Sequence, residues 1–156
     1  WMYEESFKSP LLIRWNGVIK PGSKINKLVQ NIDLAPTFLK AAGVDIPEAV
    51  HGLPMQAILS GNTGDHWRKE ILYQYFDGGT PEKRGPYNMP RHEGVRDTRY
   101  KLISFYEHGK WEFYDLKNDP QELNNLISNP SMKKEINQLK KKLIKLKTKF
   151  SPPDGE

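Results

Sequence analysis

The chain has 156 residues, enough for one domain or two small lobes, and its 37% hydrophobic and 11% aromatic content suits a folded chain and not a disordered one. There is no cysteine, which excludes disulfides, thiolate metal sites and a thiol nucleophile. Residues 1–130 balance in charge; the net +5 arises in residues 131–156, where eight lysines meet only Glu135, Asp154 and Glu156, so the basicity belongs to a tail.

The chain opens on Trp1, with Met2 second, which reads as a cut inside a longer protein. No apolar run is long enough to span a bilayer. Leu11–Leu12–Ile13–Arg14–Trp15 follows Pro10 and predicts a short strand buried on both faces, ended by turns at Asn16–Gly17 and Pro21–Gly22. Asp33 predicts an N-cap, Pro36 suits the first turn after it, and Leu34, Phe38, Leu39 and Ala42 share a helical face that Gly43 stops. Residues 43–69 are punctuated by glycine and proline, which places a lobe boundary there and divides the chain into 1–52 and 53–156. Ala57–Ile58–Leu59 suits one helical turn.

Ile71 to Phe76 has strand composition, and residues 77–92 read as a long loop rich in glycine and proline. Runs at 93–97, 100–105 and 111–115 then complete a small four-stranded antiparallel sheet, with a turn at His108–Gly109. From Ser131 a helix carries Met132, Ile136, Leu139, Leu143, Leu146 and Phe150 on one seam and lysines on the other face, ending at Pro152–Pro153. That seam needs a partner. The neighbouring sheet is the simplest one, and a coiled-coil dimer is the other option. The fold class is therefore α/β: an edge strand and helix, then an antiparallel sheet packed by a long C-terminal helix.

Three words carry more than composition. The first is Met2–Tyr3–Glu4–Glu5–Ser6 with Pro10–Leu11–Leu12–Ile13–Arg14–Trp15. The second is Asp33–Leu34–Ala35–Pro36–Thr37. The third is Arg91–His92–Glu93–Gly94–Val95–Arg96, with the strands that follow it to Leu126. In this order they resemble the C-terminal part of the type I sulfatases of the alkaline-phosphatase-like superfamily. A phosphoesterase or phosphonate hydrolase of the same superfamily and a plain interaction module stand as alternatives. The resemblance implies that residues 1–52 edge the catalytic α/β domain and that 53–156 form the C-terminal subdomain. It implies a parent enzyme that hydrolyses sulfate esters of a glycan, in the periplasm or outside the cell. The nucleophile would be a formylglycine made from Cys or Ser, and Ca²⁺ would polarise the sulfate. Neither the nucleophile motif nor the metal ligands are expected within this chain, so no catalytic and no metal-binding residue is assigned and the chain alone is expected to be inactive.

The resemblance implies one substrate-facing pair: His92, contacting sugar hydroxyls, and Arg91 beside it. An adjacent imidazole and guanidinium suit an anionic or hydroxyl-rich ligand. Glu4 and Glu5 are expected to be scaffold, Asp33 a cap, and Arg96 a partner for an acidic side chain. His51, His66 and His108 show no metal-ligand spacing. Expected partners are a sulfated carbohydrate and the rest of the catalytic domain, with no nucleic acid and no membrane span.

Overall fold

The computed structural model describes residues 1–62, 66–76 and 89–150. The expected loop at 77–92 falls mostly outside the described residues, as does the stop at Pro152–Pro153. The chain forms two compact units, Trp1–Pro10 with Glu70–Glu156, and Leu11–Lys69. The breaks in packing thus fall at Pro10 and Lys69, whereas the glycine and proline punctuation pointed to Gly52. Gly52 sits inside a packed turn, where an added Cβ would collide with the Ile32 carbonyl.

In the first unit a short helix, α1 (Glu4–Phe7), precedes four strands: β1 (Glu70–Tyr75), β2 (His92–Asp97), β3 (Tyr100–Phe105) and β4 (Lys110–Asp115). They form an antiparallel meander in the order β1-β2-β3-β4. The register opposes Val95 to Leu72 and Leu102, and Leu102 to Phe113, so these side chains share one face. The 18-residue helix α4 (Lys133–Phe150) covers that face with Ile136, Leu139 and Leu143, and Met132 and Leu146 pack at its edges. From Met132 to Leu146 the predicted seam therefore packs on the sheet. Lys142 pairs with Asp97 at 3.1 Å and Lys147 with Glu93 at 2.8 Å, which fixes the helix along β2.

The opposite face, with Tyr73, His92, Gly94, Lys101, Ile103, Phe105 and Tyr114, is covered by the first residues of the chain. Met2 is fully buried against Ile103, Phe105 and Tyr114. At Gly94 a Cβ would run into the Leu102 carbonyl oxygen and lie 2.5 Å from the Met2 sulfur, so glycine is what lets this segment lie close on the sheet.

The second unit holds α2 (Leu34–Ala41) and α3 (Gln56–Leu59), with Met55, Ile58 and Leu59 buried among Ile13, Trp15, Ile19, Val29, Leu34 and Trp67. The expected strand at Leu11–Trp15 does not form: Leu11 is 50% and Leu12 94% exposed. A strand buried on both faces needs ladder partners at its edges, and among the described residues no segment pairs with this one. Phe38 also points outward at 67% exposure, because the buried face of α2 is Pro36 and Thr37.

Asp33 stands at the N-cap position of α2, but its side chain makes no capping hydrogen bond to that helix. It is fully buried, accepts from the Gln30 and Leu53 amides at 2.8 Å each, and pairs with both terminal nitrogens of the Arg68 guanidinium. Thr37 Oγ1 donates to the Asp33 carbonyl at 2.6 Å and accepts from the Met55 amide at 2.9 Å. The Asp–Leu–Ala–Pro–Thr word is thus a hub that ties α2 to α3 and to the segment before β1.

Candidate functional site

His92 begins β2 on the sheet face away from α4 and is fully buried. Its ring is enclosed by Tyr73, Tyr75 and Phe105, each with its ring centre 5.4 Å away, and by Trp1 at 6.0 Å. Nδ1 lies 2.9 Å from the Pro90 carbonyl oxygen. A carbonyl only accepts, so Nδ1 carries the proton and Nε2 presents a lone pair. Nε2 is buried and has no hydrogen-bond partner among the described residues. Burial lowers the imidazole pKa, and the Pro90 contact only partly opposes this, so the ring is neutral at pH 7. The result is a neutral acceptor in an aromatic shell, suited to an O–H donor and not to an anion.

Arg91 lies outside that shell. Its side chain is 41% exposed and its Nε is 4.0 Å from Glu107 Oε1, while its backbone amide donates to Glu107 Oε2 at 3.2 Å. The two side chains expected to act together therefore occupy different environments: His92 is enclosed and Arg91 is at the surface.

On the same face, at the other end of β2 from His92, sits a buried charge cluster. Lys101 is fully buried and its ammonium meets Glu4 Oε1 at 2.9 Å, Glu122 Oε1 at 2.8 Å and the Met2 carbonyl at 2.6 Å. Arg96 grips Glu4 through Nε at 2.9 Å and Nη2 at 3.1 Å, which is the acidic partner expected for it. Glu122, whose backbone is left-handed at φ 56°, accepts from the Glu4 amide through Oε2 at 2.5 Å. Burial pushes the Glu4 carboxyl up, but Arg96 and Lys101 outweigh it and hold the pKa below its ordinary value. Tyr3 and Tyr114 both donate to Glu112 Oε2, at 2.8 and 3.0 Å. Burial first, and then that carboxylate, raise both phenols well above their ordinary range.

These groups do not fit a calcium site. A hard cation takes six to eight oxygen ligands, whereas the buried carboxylates here already hold ammonium, guanidinium, phenol or amide donors. Among the described residues no three acidic, histidine or cysteine side chains converge as a metal site.

The sequence reading singled out His92, Arg91 and Arg96 but missed the enclosing shell. Tyr73 and Tyr75 share a strand face by parity, a legible signal. Trp1 and Lys101 had none: a terminal tryptophan and a strand lysine both read as solvent-facing.

Comparison with known proteins follows the same outline. Residues 1–149 match the family model for the C-terminal region of N-sulphoglucosamine sulphohydrolase. An N-acetylglucosamine-6-O-sulfatase of Bacteroides thetaiotaomicron is 36% identical across the whole of this chain, which spans 28% of that protein. The structure of BT4656 in complex with its substrate D-glucosamine-2-N,6-O-disulfate superposes with a TM-score of 0.88 at 34% identity, covering all of this chain and 32% of that one. A phosphonate monoester hydrolase of Silicibacter pomeroyi gives a TM-score of 0.74 at 23% identity over 87% of this chain and 28% of its own, a likeness of fold alone. No helix among the described residues is long and apolar enough to cross a membrane. The four-stranded sheet, its long helix, the words at Met2, Asp33 and Arg91, and a match over nearly every residue converge on one conclusion: this chain belongs to the sulfatase family that carries the N-sulphoglucosamine sulphohydrolase C-terminal region.

Proposed function

We propose that the chain is the C-terminal part of a sulfatase that hydrolyses sulfate esters of a glycan, and that its sheet lobe helps to hold the sugar. The parent would act in the periplasm or outside the cell, with its formylglycine nucleophile and calcium on the remainder of the catalytic domain. His92 is the residue that carries this reading. A buried, neutral imidazole nitrogen without a partner is costly unless a donor reaches it, and a sugar hydroxyl is such a donor. Trp1, 44% exposed and stacked on the imidazole, is the ring that would turn aside to admit it. Arg91, at the surface, would face the charged end of the substrate.

The test uses the full-length parent. His92→Ala should lower kcat/KM on a sulfated glucosamine by about threefold to tenfold, the worth of one neutral hydrogen bond, and leave a small aryl sulfate unchanged. Equal losses on both substrates would refute a sugar contact. The 156-residue chain alone, given calcium and an aryl sulfate, should show no turnover. Metal-dependent turnover would refute the placement of the catalytic groups outside it.

A further inference from the structure

On the α4 side of the sheet, away from His92, a recess of about 300 Å³ opens between the start of β4 and the first turns of α4. Its walls include Trp111, Asn129, Lys133, Asn137 and Lys140. The Lys140 ammonium lies 4.6 Å from the centre of the Trp111 ring. Among the described residues that line the recess there is no carboxylate. Lys142 and Lys147, further along α4, instead have acidic partners on the sheet. The recess therefore combines two cations without a counter-charge in its lining, an indole over which one of them lies, and two side-chain amides. Two of these features have a counterpart in a sulfated sugar: the anion for the lysines, and hydroxyls for the amides. The volume lies at the small end for ligand pockets, enough for one sugar unit of a longer chain.

We propose that this recess is an accessory binding site for a sulfated saccharide, separate from the His92 side of the sheet. Its effect would be to retain a polymeric substrate on the enzyme. The choice of sugar rests on the glycan-sulfatase reading, while the anion-binding chemistry rests on the recess itself.

The test titrates the full chain with a sulfated glucosamine tetrasaccharide, its unsulfated counterpart and a single-stranded DNA oligonucleotide of matched charge. Binding is followed through the Trp111 indole N–H resonance, assigned by its loss in Trp111→Phe. The sulfated sugar should shift that resonance saturably. The pair Lys133→Gln and Lys140→Gln should weaken binding at least about tenfold, as expected for charge-assisted hydrogen bonds. Lys133→Gln alone, at an exposed position, should move it the same way if the double variant loses its fold. Lys134→Gln, Lys141→Gln and Lys145→Gln together remove more charge from the exposed side of α4 and should matter less. An unmoved Trp111 resonance, equal binding of DNA or unsulfated sugar, or a larger loss from that triple variant would overturn the proposal. Parent turnover separates the two readings: binding without glycan-sulfatase activity refutes the function and keeps the site, whereas activity without binding does the reverse.

Discussion

Replacing Lys101 with methionine shortens the side chain by one atom, keeps it unbranched and removes its charge. In the native sheet its ammonium serves Glu4, Glu122 and the Met2 carbonyl from a position with no solvent exposure. After the change Glu4 still has the Arg96 guanidinium. Glu122, with its side chain 1% exposed, keeps only the Glu4 amide among the described residues. Breaking a buried pair from one side costs about 3–5 kcal/mol. Because one of the two carboxylates stays paired, the lower end applies, about 3 kcal/mol. Adding Glu122→Gln removes the stranded charge and should bring stability back to within about 1 kcal/mol of native. The assay is urea denaturation read through hydrogen exchange of the β3 amides, which reports this sheet and not residues 11–69. A loss below about 1 kcal/mol for Lys101→Met, or a double variant worse than the single one, would refute the argument that the cluster is a closed charge network.

Further outcomes follow from the same geometry. Asp33→Ala should cost about 3–5 kcal/mol in the unit formed by residues 11–69, not the roughly 1 kcal/mol of a lost cap, because it strands Arg68; urea denaturation read through amides of α2 checks this. Gly94→Ala should destabilise the sheet unit by about 1–3 kcal/mol. Met2→Ala in the same chain should rescue only part of that, since the Leu102 carbonyl is backbone and cannot yield. Stability of the sheet unit should fall in acid in two stages. His92 has a folded pKa below its ordinary 6.5, so the unfolded chain takes the proton first and stability declines as pH drops under 6.5. Glu4 and Asp115, held down by Arg96 with Lys101 and by Arg99, lose their contributions as pH passes below 4.5 and 3.8 toward their folded values. His92→Gln should flatten the first stage alone in a pH series of denaturation curves.

Local signals made the sheet and α4 legible. Strand alternation and turn residues placed β1 to β4 to within a residue or so, and the leucine seam of α4 named the side chains that pack on the sheet. What could not be read depends on partners distant in sequence. Arg68 meets Asp33 across 35 residues, so the aspartate looked like a simple cap. Lys101 lies on a face that alternation left open to solvent, and only the arrival of Met2 and Glu4 buries it. The Leu11–Trp15 run failed in the opposite sense: its composition suits a central strand, but a strand also needs neighbours to bond with. At the candidate site, motif resemblance pointed to His92, while its enclosure draws on three further segments of chain.

The segment that closes the sheet has a consequence for how the protein is made. Met2 waits for Lys101 across 99 residues, and the Glu4 amide waits for Glu122 across 118. During synthesis the first stretch of the lobe leaves the ribosome long before the surface it will cover exists. Closing loops of that length is slow, and a greasy strip held open in water invites aggregation. The strip is instead half polar, with Glu4, Glu5 and Ser6 beside Met2 and Tyr3. Anchoring it by charge keeps the nascent segment soluble while it waits, and makes the lobe non-portable: residues 70–150 moved to another protein without residues 1–7 would carry a buried lysine deprived of two of its three acceptors.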